Sequence, residues 1–151
     1  MVGLFASRVM LASALMCFQQ GDFTLRSSAF GKTYVSAVSE AKLLDSPAWA
    51  DDKPNPPVSA RSAMNLARIV LDAAIELPED CEWHQGSLHL MVPPLSDQQR
   101  WIWLVYYYGS KKTGVTPGTG SHKIALIVLM DGTVVKPKLE SPADDDKKSQ
   151  D

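Results

Sequence analysis

The clearest pattern in the chain is an amphipathic repeat that follows a proline-rich stretch. From Ser59 onward, apolar residues recur every three or four positions, which is the spacing of one face of a helix. Ser59 is a good N-cap residue and Pro78 ends the repeat. The repeat predicts a helix over residues 59–76, whose buried face has these members: Ala60, Ala63, Met64, Ala67, Val70, Leu71, Ala74 and Ile75.

After the helix, the spacing changes to that of β-strands. Segments 83–92, 101–108 and 124–130 alternate in polarity or are rich in aromatic and β-branched residues, so they predict three strands. Asp131-Gly132 is a preferred pair for a two-residue type I′ turn and predicts a short fourth strand after it, from Thr133 to Val135. This order predicts an α+β fold with two layers, one main helix packed on a three- to four-stranded antiparallel sheet.

Two of the predicted strands have apolar residues on both faces. In segment 101–108, Trp101, Trp103 and Tyr107 point to one side, but the residues between them are apolar as well. Segment 124–130 has the same property. A sheet with one solvated face alternates apolar with polar residues. The second face is therefore expected to be covered by residues 30–50, by a second subunit or by a ligand.

The ends of the chain differ in composition from this central part. Arg8 is followed by an apolar run, residues 9–18, that is too short to span a bilayer and is typical of a signal peptide. We therefore interpret residues 1–20 as a signal peptide. Residues 21–56 show no sustained period and are predicted to be an irregular segment with a proline-rich linker, apart from a short strand at 34–38 and a helical turn within 37–44. Residues 57–140 are then the α+β domain, and the polar tail 141–151 is predicted to be disordered.

The element order and two short motifs resemble known small domains. The motifs are the segment Trp49…Asn55-Pro56-Pro57-Val58-Ser59-Ala60-Arg61-Ser62-Ala63 and the closing unit Ile127-Val128-Leu129-Met130-Asp131-Gly132-Thr133-Val134-Val135. Together they resemble PepSY-type and cystatin-like domains of small exported bacterial proteins, over roughly residues 47–137. The resemblance implies a helix on a three-stranded sheet, and an extracytoplasmic binding or inhibitory module.

Charge and cysteine content narrow the classes of partner. The 151 residues carry a net charge of −2 with Lys and Arg scattered along the chain, which argues against a nucleic-acid-binding surface. Cys17 and Cys81 are the two cysteines, and they form no redox or metal-binding motif. The acidic neighbours Glu79 and Asp80 are expected to raise the pKa of the Cys81 thiol. No cofactor and no metal are predicted.

The candidate catalytic motifs are weak. The glycine-rich stretch 114–121 lacks the lysine spacing of a phosphate-binding loop and precedes a strand. His84 and His89 are five residues apart, so on a regular strand they would face opposite sides and would not share a metal. His122 stands at a loop end, and no serine lies in a nucleophile motif.

The aromatic residues are the strongest candidates for recognition. Trp83, Trp101, Trp103 and Tyr107 are expected to share one face of the sheet. They are either core residues or a surface that binds a partner, peptide or glycan. Trp49 is placed to anchor the linker onto this domain.

These patterns predict an exported, periplasmic or secreted binding or interaction domain without evident catalytic activity. Its partner would be a protein or peptide, and a homodimer through the sheet is one arrangement. No nucleic-acid partner and no stable membrane span of the mature chain are expected. The alternatives are a small enzyme with His84 or His89 as base and a structural, envelope-associated protein. If residues 1–20 are not a signal peptide, the chain is cytoplasmic.

Overall fold

The computed structural model describes residues 21–94, 100–113 and 122–140. Within these ranges it contains two helices, α1 (Glu40–Asp45) and α2 (Ala60–Ala74). It also contains seven strands: β1 (Asp22–Ala29), β2 (Lys32–Ser39), β3 (Cys81–Met91), β4 (Ile102–Lys111), β5 (Lys123–Leu129), β6 (Val134–Val135) and β7 (Lys138–Leu139).

All the described strands belong to one antiparallel sheet in the order β3-β4-β5-β1-β2-β7, and β6 also pairs with β5. The expected fold of one helix on three or four strands is therefore wrong, because strands dominate the described residues and α2 is joined by a second, short helix. The β1–β2 hairpin meets β5 at a single residue pair, Ser28 with Lys123, while β3, β4 and β5 pair along most of their lengths.

The N-terminal part of the domain is ordered, not irregular. The expected strand near 34–38 is part of the longer β2, and the expected helical turn is α1, but β1 was not predicted. Serines at the inward positions 27 and 36 interrupt the apolar alternation. The β1–β2 turn consists of Phe30 (φ 52°) and Gly31 (φ 74°), and phenylalanine is rare at positive φ. Phe30 is held there by His122, whose Nδ1 accepts its backbone N–H at 3.0 Å.

The main helix forms as predicted and ends two residues earlier, at Ala74. The Ser59 side chain accepts a hydrogen bond from the Ser62 backbone N–H at 3.2 Å, which caps the first turn of α2. Ala63, Ala67 and Leu71 are fully buried at helical spacing and pack α2 against the sheet. The predicted amphipathic face is thus confirmed.

Each face of the central strands has its own hydrophobic cluster. On the α2 side, the cluster contains Val105, Ile124 and Leu126. On the other side, Leu104 and Ile127 pack with Val38 of β2 and Leu43 of α1. The second face is therefore covered by residues within 30–50 of the same chain, the first of the three expected arrangements. The apolar pattern of β4 and β5 needs no second subunit to explain it.

The Asp131-Gly132 connection is not a type I′ turn. Gly132 has a positive φ of 86°, but Asp131 does not. The Gly132 N–H donates to the Leu129 carbonyl at 3.0 Å, and the Leu129 N–H donates to the Thr133 carbonyl at 2.8 Å, so the loop has three residues. Asp131 Oδ1 accepts the Thr133 N–H at 2.8 Å, which stabilises this longer loop.

Several predicted segments lie at the ends of the described ranges or outside them. The strand predicted over 101–108 continues further, because β4 extends to Lys111. The predicted signal peptide 1–20, the glycine-rich stretch 114–121 and the tail 141–151 lie outside the described residues. Neither α1 nor α2 has the length and apolar character that a helix needs to cross a membrane.

Candidate binding site

Three of the four predicted aromatic site residues lie in the core. Trp83, Trp103 and Tyr107 are only 4%, 8% and 2% exposed, beneath α2. The Trp103 indole N–H donates to the Val58 carbonyl at 2.8 Å, and the Tyr107 hydroxyl donates to the Met64 carbonyl at 2.9 Å. These bonds join β4 to Val58, just before α2, and to Met64 in the first half of α2. In this chain the three side chains hold the two layers together and do not form an exposed surface.

The surroundings of Tyr107 favour the neutral phenol, the form that a tyrosine already has at neutral pH. Burial raises the pKa of the phenol, the negative charge of Asp72 raises it further, and Arg68 opposes both. The phenol therefore stays neutral and keeps its hydrogen bond to Met64. This behaviour is that of a structural tyrosine.

Trp101 is the predicted site residue that reaches solvent. It precedes β4, is half-buried, and its indole contacts that of Trp49 edge to face, with ring centroids 5.5 Å apart and planes at 67°. Trp49 Nε1 donates to the Lys53 carbonyl at 2.9 Å, so the loop 49–53 fixes its own tryptophan. The expected anchoring of the linker by Trp49 is confirmed by this contact.

A surface pocket of about 270 Å³ opens beside the two indoles, and we call it the Trp49–Trp101 pocket. Its other lining residues are Ala50, Asp51 and Lys53. The Lys53 ammonium lies 3.9 Å from the Asp52 carboxylate, with both side chains largely exposed. The pocket thus combines two aromatic rings with charged groups, and both kinds of group can contact a small ligand.

Residues 49–53 belong to the segment 21–56, for which the sequence predicts an irregular structure with a proline-rich linker. Their role depends on a contact between Trp49 and Trp101, which are far apart in sequence. The sequence signal was a tryptophan within a polar, proline-rich segment, where an unpaired indole would otherwise be exposed. That signal identifies an anchor but not its partner.

The two strand histidines share one face of the sheet, contrary to expectation. A bulge between Gln85 and Leu88 adds a residue to β3 and reverses the alternation, so His84 pairs with Tyr108 and His89 with Leu104. Their partners are four residues apart on β4, a separation of about 13 Å. The two imidazoles therefore do not share a metal, and no group of three or more potential ligands occurs within the described ranges.

Each described histidine has a separate local partner. His84 Nε2 lies 3.3 Å from Glu82 Oε1, His89 Nε2 is hydrogen-bonded to Ser87 Oγ at 2.9 Å, and His122 accepts the Phe30 N–H. A second pocket, of about 340 Å³, is lined by Phe30, Lys32, Tyr34, Glu76, Leu77, Pro78 and Glu79. Neither this pocket nor the Trp49–Trp101 pocket has a histidine in its lining. Neither of these two pockets therefore supports the histidine-base alternative.

Cys81 is a free thiol, 9% exposed, at the start of β3. Burial raises the pKa of this thiol, and the hydrogen bond to Asp80 and the charge of that carboxylate raise it further. Lys111 and Lys112 oppose the shift without reversing it. The expected direction is confirmed, and it disfavours a reactive thiolate.

Comparisons with known proteins leave the function to be argued from this geometry. No family model matches the chain, and no curated protein or solved structure matches it significantly. The resemblance to PepSY-type and cystatin-like domains therefore stays a prediction.

Proposed function

We propose that this chain is a small exported binding domain whose ligand occupies the Trp49–Trp101 pocket. The observation that carries the proposal is the contrast among the tryptophans. Trp83 and Trp103 are buried in the core, whereas Trp49 and Trp101 are half-buried and line a pocket with charged side chains. Aromatic rings that reach solvent beside polar groups offer a ligand both apolar contact and polar partners.

Contacts on both sides hold the pocket in shape. Trp101 packs against the cluster beneath α2. On the other side, Ser46 at the end of α1 accepts the Met130 N–H through its hydroxyl at 3.0 Å and the Arg100 guanidinium through its carbonyl at 2.8 Å. The segment that carries Trp49 therefore starts from a fixed point. Such preorganisation reduces the ordering that a ligand would otherwise have to impose.

Nitrogen-15 labelling of the tryptophan indoles provides a direct test. The protein contains four tryptophans, so its NMR spectrum should show four indole N–H signals. Single Trp→Phe variants assign them. A panel of small organic cations, neutral sugars and short peptides is then titrated in. Saturable shifts of the Trp49 and Trp101 signals, with those of Trp83 and Trp103 unmoved, are expected for at least one probe.

A matched variant separates the pocket from general surface binding. Ile69 on α2 is 67% exposed and does not line the pocket, so Ile69→Ala should leave the titration unchanged. Trp101→Ala should abolish it. A panel in which no probe moves the Trp49 and Trp101 signals, or in which Trp101→Ala binds as the unmodified protein does, would refute the proposed site.

Export is the second part of the proposal and rests on the apolar run 9–18 after Arg8. The full chain is expressed in a bacterial host, the cells are fractionated, and the intact mass of the product is measured. A shortened protein outside the cytoplasm is expected. A full-length cytoplasmic product would refute export and leave the binding proposal to its own test.

A further inference from the structure

The two charged residues that line the Trp49–Trp101 pocket, Asp51 and Lys53, are not paired with each other. Lys53 is paired with Asp52, which does not line the pocket, whereas Asp51 lines it and has no ion-pair partner among the described residues. Two carboxylates and one ammonium leave these three residues with a net charge of −1. A ligand with a positive group would therefore meet an uncompensated carboxylate.

The aromatic walls favour the same sign of charge. The face of an indole carries negative potential, and tryptophan is the best side chain for attracting a cation through its ring. The N–H of Trp49 is already used by the Lys53 carbonyl, so this indole offers a ligand its ring and not its donor. With the planes of the two rings at 67°, the pocket has aromatic walls of two orientations.

We propose that the Trp49–Trp101 pocket binds an organic cation of the alkylated ammonium class. This inference rests on the proposed function and adds the chemistry of the ligand. A volume of about 270 Å³ is below the range of roughly 300–1,000 Å³ that is usual for drug-sized ligands. The pocket therefore suits a small cationic headgroup, such as a trimethylammonium group. The headgroup comes either from a free small molecule or from a methylated lysine of a peptide.

The test compares a cation with an uncharged molecule of the same shape. Choline and its carbon analogue 3,3-dimethylbutan-1-ol are titrated into the full protein at pH 7 and followed by the Trp49 and Trp101 indole signals. Because a cation–π contact and a nearby carboxylate both act only on the charged ligand, choline should bind on the order of tenfold more tightly. Choline binding should also weaken as salt is added.

Two charge variants locate the attraction. Asp51→Asn should weaken choline binding several-fold while leaving the carbon analogue unaffected. Glu79→Gln removes the same charge from the other pocket and should change neither titration. A peptide with trimethyllysine, compared with its unmodified lysine form and with choline, identifies the source. Much tighter binding of the methylated peptide indicates a protein ligand, and equal binding indicates a free cation.

The failures of the two proposals differ. If choline and the carbon analogue bind equally, or if a neutral sugar binds and choline does not, the cation inference is overturned and the binding pocket stands. If neither choline nor the trimethyllysine peptide shifts the two indole signals, the cation inference is also overturned. The remaining members of the panel then decide whether the pocket binds anything.

Discussion

Replacing Trp103 with alanine should destabilise the fold far more than the same change at Trp101. The Trp103 side chain is 8% exposed and packs in the cluster beneath α2. Removing a buried tryptophan side chain costs about 3–5 kcal/mol. The change also leaves the Val58 carbonyl without the indole N–H at 2.8 Å, and an unsatisfied buried group costs about 1–3 kcal/mol. The total is comparable with the whole stability of a small domain, about 5–15 kcal/mol.

Trp101 provides the matched comparison. It is half-buried, packs at the border of the same cluster, and contacts the Trp49 ring edge to face. An aromatic pair contributes about 0.5–1.5 kcal/mol beyond the area it buries. The Trp101→Ala variant should therefore lose about 1–2 kcal/mol of unfolding free energy and remain folded.

Urea unfolding followed by far-ultraviolet circular dichroism measures both changes. If Trp103→Ala is unfolded without urea, Trp103→Phe gives the value, because it keeps most of the volume and removes the N–H. A loss of about 1–3 kcal/mol is expected for that variant. Equal destabilisation by Trp101→Ala and Trp103→Ala would refute the assignment of Trp103 to the core and Trp101 to the pocket.

Three further predictions concern single positions. Gly109→Ala should lose about 1–3 kcal/mol in urea unfolding, because a Cβ there would meet the Phe30 ring; unchanged stability would contradict this packing. Burial acts to raise the pKa of Asp131, but the hydrogen bonds from Thr133 and the charge of Lys42 outweigh it and hold the pKa below its usual value. The ionised carboxylate therefore stabilises the fold above the ordinary carboxyl range, and the stabilisation is lost as the pH falls through the lowered pKa. Asp131→Asn should thus be less stable than the unmodified protein at pH 7, with a gap that closes in acid; a gap independent of pH would contradict the ionic contribution. In a Cys17→Ser background, iodoacetamide should modify folded Cys81 at least about tenfold more slowly than in urea, because its pKa is raised by burial and by Asp80. Equal rates would show that the thiol is exposed.

Local patterns predicted those parts of the fold that local interactions decide. The α2 helix is amphipathic and capped by Ser59, so its existence can be read from consecutive residues. The edges of β3, β4 and β5 are each within a few residues of the prediction. β1 is different, because its inward side includes Ser27, whose hydroxyl accepts the Ala125 N–H at 3.0 Å. This polar inward residue is matched by a residue about a hundred positions away, so nothing near Ser27 in the sequence shows that it faces the inside of the sheet.

The candidate site shows the same division. The sequence identified Trp101 as a candidate and Trp49 as an anchor, but not that the two meet. The face of each strand residue was predictable only while the alternation was regular. The bulge at 85–88 breaks the alternation, and no apolar pattern marks its position in the sequence. Gly86 in the bulge is exposed, and the Tyr108 ring lies where a Cβ of residue 86 would be. For this reason His84 and His89 were assigned to opposite faces.

The single residue pair that joins the β1–β2 hairpin to β5 has a consequence for the order of folding. The hairpin leaves the ribosome well before β4 and β5, the strands whose second face it covers. Until those strands are complete, Val38 and Leu43 have no apolar surface of their own chain to bury against. Contacts between residues so far apart in sequence form slowly. The hairpin is thus the part of the domain expected to dock last, and native-state hydrogen exchange should find it to be the first part to open.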